Sequence, residues 1–343
     1  KAEDKDLPRG AVVSDRFETA RNFCNKLWNA SRFALMNLEG FTPATVADED
    51  LTVEDRWLLS RLATVARQVT DHLAGYRYAD AARVLYEFAW DEFCSFYVEM
   101  VKSRLQDESA RPVAQRVLAS ALDTLLRLLH PMIPFLTEEV WQLLAGVAPA
   151  RGIDSAEPAV ESVMIAAWPE SDARRRDPHI EEQFARFQEV LRAVREIRSR
   201  QNVPPKQELR FSVRCDAAVA DLLRPMEPYF LSMAGARPTG FGPDIKSPPL
   251  GASTMAAGLE VFVDLAGLID IGAEIKKKQQ ELGKLEGMIL GKRKKLENEA
   301  FVSKAPPAVV QKERDSLKEL DEQRATTLAV IERLTETSGK DQG

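Results

Sequence analysis

The chain has 343 residues, 45% of them hydrophobic and 29% charged, with a formal net charge of −6. That length and composition suit a soluble protein of two or three domains with ample core, and no run of about 18 apolar residues could cross a membrane as a helix. The acidic balance argues against wholesale, nonspecific nucleic-acid binding, while leaving room for a specific RNA ligand, which needs only local basic patches. Cys24, Cys94 and Cys215 lie far apart, with no Cys-x-x-Cys and no nearby histidine. Neither a disulfide frame nor a zinc site is expected, and a reducing cytoplasm fits.

Lys1 to Val13 is charged and without period, and reads as a tail or a connection to something upstream. From Ser14 to about Leu144 the period is helical. The first helix runs from about Asp15 to Leu38 and stops at Gly40. At about 100° per residue, Ala20, Phe23, Cys24, Leu27, Ala30, Ala34 and Leu38 fall on one broad apolar side. Asn22, Lys26, Asn29 and Phe33 are assigned to the opposite stripe. An aromatic among amides and an ammonium calls for a second layer of protein or for a nucleobase, since bases stack on rings and offer their edges to amides.

Thr52-Val53-Glu54-Asp55 opens a second helix with an N-cap and an acidic first turn, and Gly75 ends it. Its stripe is Leu58, Leu62, Val65, Val69 and Leu73. A third helix is expected without interruption from Tyr78 to Leu105, with an apolar surface wide enough to need several neighbours. Pro112 opens a fourth, and His130-Pro131-Met132-Ile133-Pro134 breaks it, because proline removes a donor and clashes with the preceding turn. His130 reads as a helix-terminus residue. The fifth helix is Phe135 to Leu144. Five amphipathic helices with short links make a bundle.

A Pro/Gly/Ala-rich connector follows to Asp177, and Arg174-Arg175-Arg176 within it reads as a solvated loop. The period then changes. Ile180 to Gln201 is helical, with Arg192, Arg195, Arg198 and Arg200 on its polar side, and Pro204-Pro205 stops it. Leu209 to Cys215 alternates as a half-buried strand. Asp216 to Met233 reads as one helix, and Thr254 to Ala257 and Leu259 to Leu265 as two strands around Gly258. This is a small α/β unit. From Leu268 a heptad repeat sets in (Leu268, Ile275, Leu282, Ile289, Leu296), broken by Phe301 to Pro307 and resumed from Val310 to Leu334. Nearly equal arms fold back as an antiparallel hairpin of roughly 45 Å. Polar seam positions, and glycines at 283, 287 and 291, predict an arm that moves.

No Gly-rich phosphate loop, nucleophile elbow or metal-ligand spacing occurs, so the residues point to a binding module. The expected architecture is mainly α: a tail (1–13), a helical bundle with connector (14–178), a small α/β junction domain (179–266) and a coiled-coil arm (267–343).

Six stretches carry a family resemblance. Arg21-Asn22-Phe23 through Asn25-Lys26-Leu27-Trp28-Asn29-Ala30 to Arg32-Phe33 resembles the first anticodon-domain helix of the valyl-tRNA synthetases. Asp55 to Leu62 and Leu85 to Cys94 resemble the second and third helices of that family. His130 to Trp141 is similar to the helix break shared by class I synthetases for aliphatic amino acids. Asn202-Val203-Pro204-Pro205 and the stretch from Asn298 to Pro306 resemble the valyl family's turn and coiled-coil tip.

The resemblance implies that the bundle is an anticodon-binding domain for tRNA(Val), and that the hairpin reaches the outer corner of the tRNA. It implies Asn22, Lys26, Asn29, Arg32 and Phe33 as an anticodon face. Arg192, Arg195 and Arg198, with Lys276, Lys277, Lys292, Arg293, Lys294 and Lys295, would meet the RNA backbone. The family's His-Ile-Gly-His and Lys-Met-Ser-Lys-Ser signatures are missing, as are the catalytic and editing domains. The resemblance therefore implies the C-terminal part of a monomeric enzyme, without cofactor of its own, whose ATP and valine chemistry sits in its other domains. The same region of an isoleucyl- or leucyl-tRNA synthetase, or a dimerising coiled-coil scaffold, remains as an alternative.

Overall fold

The computed structural model describes residues 15–248, 250–268, 271–298 and 306–340. The proposed tail and most of the coiled-coil tip lie outside them. The chain forms two compact units that divide between Ala185 and Arg186.

The first unit is the bundle. Helix α1 spans Asp15–Asn37, α2 Val53–Ala74 and α3 Tyr78–Glu87. Beyond α3 the chain keeps coiling as a π-helix, Phe88–Tyr97, and then as the short turns Val98–Met100 and Lys102–Gln106. Helices α4, Arg111–Leu129, and α5, Pro134–Val147, follow. The break between them is the one expected: His130 caps α4, and its Nδ1 lies 2.8 Å from Thr137 Oγ1.

The start of α2 is fixed by charge. The Asp55 carboxylate accepts from both the amide (3.3 Å) and the hydroxyl (3.0 Å) of Thr52. The same carboxylate holds Arg104 at 2.7 Å and accepts from Tyr97 Oη at 3.0 Å. Asp55 is wholly buried, so this polar knot sits inside the core. Burial first, and Asp55 second, push the Tyr97 phenol well above its ordinary pKa. One turn on, Trp57 stacks on Phe184, with centroids 4.3 Å apart and planes within 5°.

The uninterrupted third helix expected from the sequence is not what forms. A ten-residue π segment replaces its middle, and two side chains account for its hold. Ser95 Oγ donates to the carbonyl of Trp90, five residues back (2.7 Å), which matches the wider turn. Glu92 takes a two-pronged contact from Arg61 on α2 (2.7 and 2.9 Å). Arg61 also binds Glu181, whose carboxylate accepts from Ser60 and Thr64. Burial raises the Glu92 pKa, with Arg61 opposing it.

The connector is pinned rather than loose. Two-residue strands β1 (Ala150–Arg151) and β2 (Glu157–Pro158) make a small hairpin. Arg151 binds Asp123 at 2.6 Å and lies 4.3 Å over the Trp141 ring. Arg174 is solvated as expected, at 76%, while pairing with Asp154 and Asp172; Arg175, 15% exposed, is held by Asp48, Asp154 and Asp172.

Helix α6, Pro178–Arg200, leads into the second unit. There β3 (Leu209–Arg214), β4 (Ala236–Gly242), β5 (Gly251–Ala256) and β6 (Leu259–Asp264) form a sheet in the order β4-β3-β6-β5. Strand β4, which was not expected, runs parallel to β3; the other pairs are antiparallel. It carries Pro238 and two glycines, a composition that reads as loop. It is tolerated because it lies at a sheet edge. Its bulge skips Thr239, whose hydroxyl instead donates to the Phe211 carbonyl (3.0 Å).

The helix expected from Asp216 to Met233 is two: α7 (Ala217–Leu223) and α8 (Glu227–Ala234), with a 3-10 turn at Pro225. Phe230 is the hub of this core, 4.8 Å from Phe187 and 4.9 Å from Phe211.

The arm is α9 (Ile271–Glu297) against α10 (Pro307–Lys340). Its ion pairs run in opposite senses along the two helices, with Lys292 to Glu313 and Glu286 to Arg324, so the hairpin is antiparallel as the heptads predict.

Candidate nucleic-acid interface

Helix α1 buries Phe23, Leu27, Ala30, Ala34 and Leu38, the apolar side read from the sequence. The side facing away is not the stripe assigned to it. At about 100° per residue, Asn25, Arg32 and Met36 stand opposite the centre of that buried arc, flanked by Arg21, Trp28 and Asn29. All six are exposed, as is Asn22. Lys26 and Phe33 stand roughly 90° round from that centre, on a flank where the π segment and the turn after it pack.

Their surroundings follow from that position. Lys26 Nζ lies 2.6 Å from Ser95 Oγ and 4.0 Å from the centroid of Trp90. Burial lowers its pKa below the ordinary lysine value, with Cys94 and Asp91 opposing. The half-buried ammonium thus engages a hydroxyl and a ring of the bundle. Trp90 stacks on Tyr86 (5.7 Å) and Tyr86 on Phe23 (5.1 Å), a ladder that Lys26 closes. Cys94 is buried, and burial pushes its thiol up to about 12, away from the thiolate form.

Phe33 is half-buried, with the ammonium of Lys102 5.7 Å from its centroid. Lys102 also pairs with Glu99 at 2.6 Å. The exposed aromatics of α1 are Phe17, at 73%, and Trp28, at 36%. Sequence reasoning missed Trp28 and Asn25, although the helical angle alone would have found them. Lys102 had no such signal, because it comes from another helix, beyond a π segment that shifts its phase.

The arginines of α6 divide. Arg198 donates to the carbonyls of Pro204, Gln207, Ala234 and Gly235, all within 3.1 Å. It ties the Pro204-Pro205 turn to the end of α8. Burial lowers its pKa. Arg195 likewise donates to Met233 O at 2.8 Å. Arg192 is exposed, and no ion pair holds it among the described residues.

The basic run of the arm is less open than its sequence suggests. Lys292 and Lys295 both bind Glu313, at 2.6 and 2.7 Å. The two lysines hold the Glu313 carboxyl down at about 2. Arg293 binds Asp321 at 3.1 Å. Lys276 and Lys294 are exposed, with no ion pair among the described residues; the Lys277 side chain lies outside them. No group of His, Cys, Asp and Glu among the described residues could hold a metal ion. None of the described helices is long and apolar enough to cross a membrane.

Residues 55–213 match the family model described as the anticodon-binding domain of tRNA ligase, and residues 270–335 that of the valyl tRNA synthetase tRNA binding arm. A valine-tRNA ligase of Rhodopirellula baltica is 50% identical over 322 residues, which is 93% of this chain and 31% of that protein. Those of Geobacter sulfurreducens and Syntrophotalea carbinolica are 40% and 41% identical, over 94% and 93% of this chain and 36% and 35% of theirs. The chain spans about a third of the length of these relatives. With the two models in tandem on the bundle and the arm, and with identity running across nearly all of it, the chain belongs to the valine-tRNA ligase family and carries that family's anticodon-binding domain and tRNA-binding arm.

Proposed function

We propose that this chain grips tRNA(Val) for a valine-tRNA ligase, the bundle taking the anticodon stem-loop and the arm the outer corner of the tRNA. In this reading valine is attached with ATP by domains other than these, in the cytoplasm, and the chain works as a monomer. The observation that carries it is the outward face of α1: amides at Asn22, Asn25 and Asn29, an open indole at Trp28 and a guanidinium at Arg32. Anticodon bases are unstacked, so they can lie on a ring and present their edges to amides. Arg32 suits a phosphate or a base edge, and Phe33 with Lys102 forms a smaller shelf on the flank. Of the cations first assigned to the RNA backbone, Arg192, Lys276 and Lys294 fit that role best, because no protein carboxylate holds them among the described residues.

The test is binding of the 343-residue chain to a tRNA(Val) transcript and to an unrelated elongator tRNA over a salt series. Trp28→Ala should cost tRNA(Val) about 1–3 kcal/mol, the usual worth of one base stacked on an aromatic ring. Arg32→Ala should weaken binding and flatten the salt dependence. Equal affinity for both tRNAs, with no loss in either variant, would sink the anticodon assignment. Lys26→Ala should instead lower the stability of the bundle.

A further inference from the structure

The arm carries its cations in an arrangement that binding alone does not require. Lys292, Arg293 and Lys295 sit within one turn near the end of α9, and all three are held by carboxylates of α10. Glu313 takes two lysines, one on each oxygen: Oε2 from Lys292 and Oε1 from Lys295. Asp321 meets Arg293 with both of its oxygens, at 3.1 and 3.2 Å. A carboxylate so placed makes the contacts a phosphate oxygen would make. The Arg293–Asp321 pair is exposed on both sides, and exposed ion pairs of this kind exchange at little net cost.

We infer that Glu313 and Asp321 are specificity-determining residues, which occupy the arm's cations as internal stand-ins for phosphate. This rests on the reading that the arm binds tRNA. An RNA that sets its phosphates against Lys292, Arg293 and Lys295 replaces the contacts that both carboxylates give up. A polyanion that reaches these cations in poorer geometry breaks the same pairs and regains less than they gave. The acids thus act chiefly against wrong partners, and discrimination is a difference of affinities. They also lower the number of counterions that nonspecific binding releases, which sets its salt dependence.

The experiment uses the full chain with transcripts of tRNA(Val) and an unrelated elongator tRNA, from about 50 to 300 mM salt. Glu313→Gln should tighten the unrelated tRNA about three- to tenfold and tRNA(Val) less. It should steepen the plot of log K against log salt by about 1–2, at nearly one per phosphate newly contacted. Asp321→Asn frees Arg293 alone and should steepen the plot by about one. Glu319→Gln removes the same unit of charge from an exposed carboxylate that no ion pair holds among the described residues, and should change neither quantity. An unchanged slope and an unchanged ratio in Glu313→Gln, with helicity retained, overturn the inference. So does a Glu319→Gln variant that matches Glu313→Gln. If Glu313→Gln loses helicity, Asp321→Asn decides by the same criteria. Lys276→Ala with Lys294→Ala leaves the pairs intact and tests the arm itself. No loss of affinity there overturns the parent reading, whereas a loss there beside an unaltered Glu313→Gln overturns only this one.

Discussion

The bundle and the arm are both helix packed on helix, and both follow the same alternation of apolar and polar positions. They differ in the number of neighbours each helix has. In the bundle, α4 buries Val117, Leu118, Leu122, Leu125, Leu126 and Leu129 against several partners. In the arm each helix has one partner, and the described seam buries Leu285, Ile289, Val310 and Thr327. The charges differ in the same way. Inside the bundle, Asp55 and Tyr97 are wholly buried and Arg104, 13% exposed, closes the knot they form. On the arm, Arg293 meets Asp321 at the surface, while Lys292 and Lys295 meet a Glu313 side chain that is 19% exposed. A buried pair is costly to break because it leaves a stranded charge. A surface pair is cheap to exchange, which suits a region that must take up a polyanion.

That contrast can be broken most severely at Trp57. Its ring is buried against Phe184, so Trp57→Ala should cost the bundle about 3–5 kcal/mol in urea denaturation. The helicity of the arm should survive. Next in size is Asp55→Asn, which keeps the shape and leaves Arg104 only Glu54, at 3.2 Å, as a carboxylate partner; a loss of about 2–3 kcal/mol is expected in the same assay. A loss under about 1 kcal/mol would mean that water reaches the knot. Leu285→Ala should cost about 2 kcal/mol, at the low end for a core leucine, because the thin seam can close around it. It should melt the arm and leave the bundle's transition in place.

The smallest effect concerns pH. Glu313 is held at about 2, below its ordinary value of 4.5, by the hydrogen bonds of Lys292 and Lys295. A depressed carboxylate stabilises the fold above its unfolded pKa and loses that contribution as pH falls through the folded one. The arm's ellipticity should therefore drop between about pH 4.5 and 2, and Glu313→Gln should remove that part of the change.

Much of this was legible in residue order. The buried arc of α1, the cap at Thr52, the break at His130 and the antiparallel arm all follow from local rules, because each depends on residues within a turn or two. What escaped depended on partners far away in sequence. The π segment is held by Glu92 reaching Arg61 and by Lys26 reaching Ser95. Strand β4 has the composition of a loop and exists because β3 offers it an edge. The α1 face is a case of another kind: the periodicity was sufficient, and the outward stripe centred on Asn25 and Arg32 was assigned one flank too far, at Lys26 and Phe33.

Residue order sets that helices form, where most of them begin and stop, and that a basic heptad arm follows a small α/β unit. Those features rest on backbone propensity, capping and periodicity, all of which act locally. Which charges remain for a ligand depends on long-range packing. Lys26, Arg195, Arg198, Lys292, Arg293 and Lys295 look alike in the sequence as solvated cations. Folding brings each of them within reach of a hydroxyl, a carbonyl or a carboxylate from a distant segment. It leaves Arg32, Arg192, Lys276 and Lys294 facing water, because a cation's availability is set by what the fold places beside it.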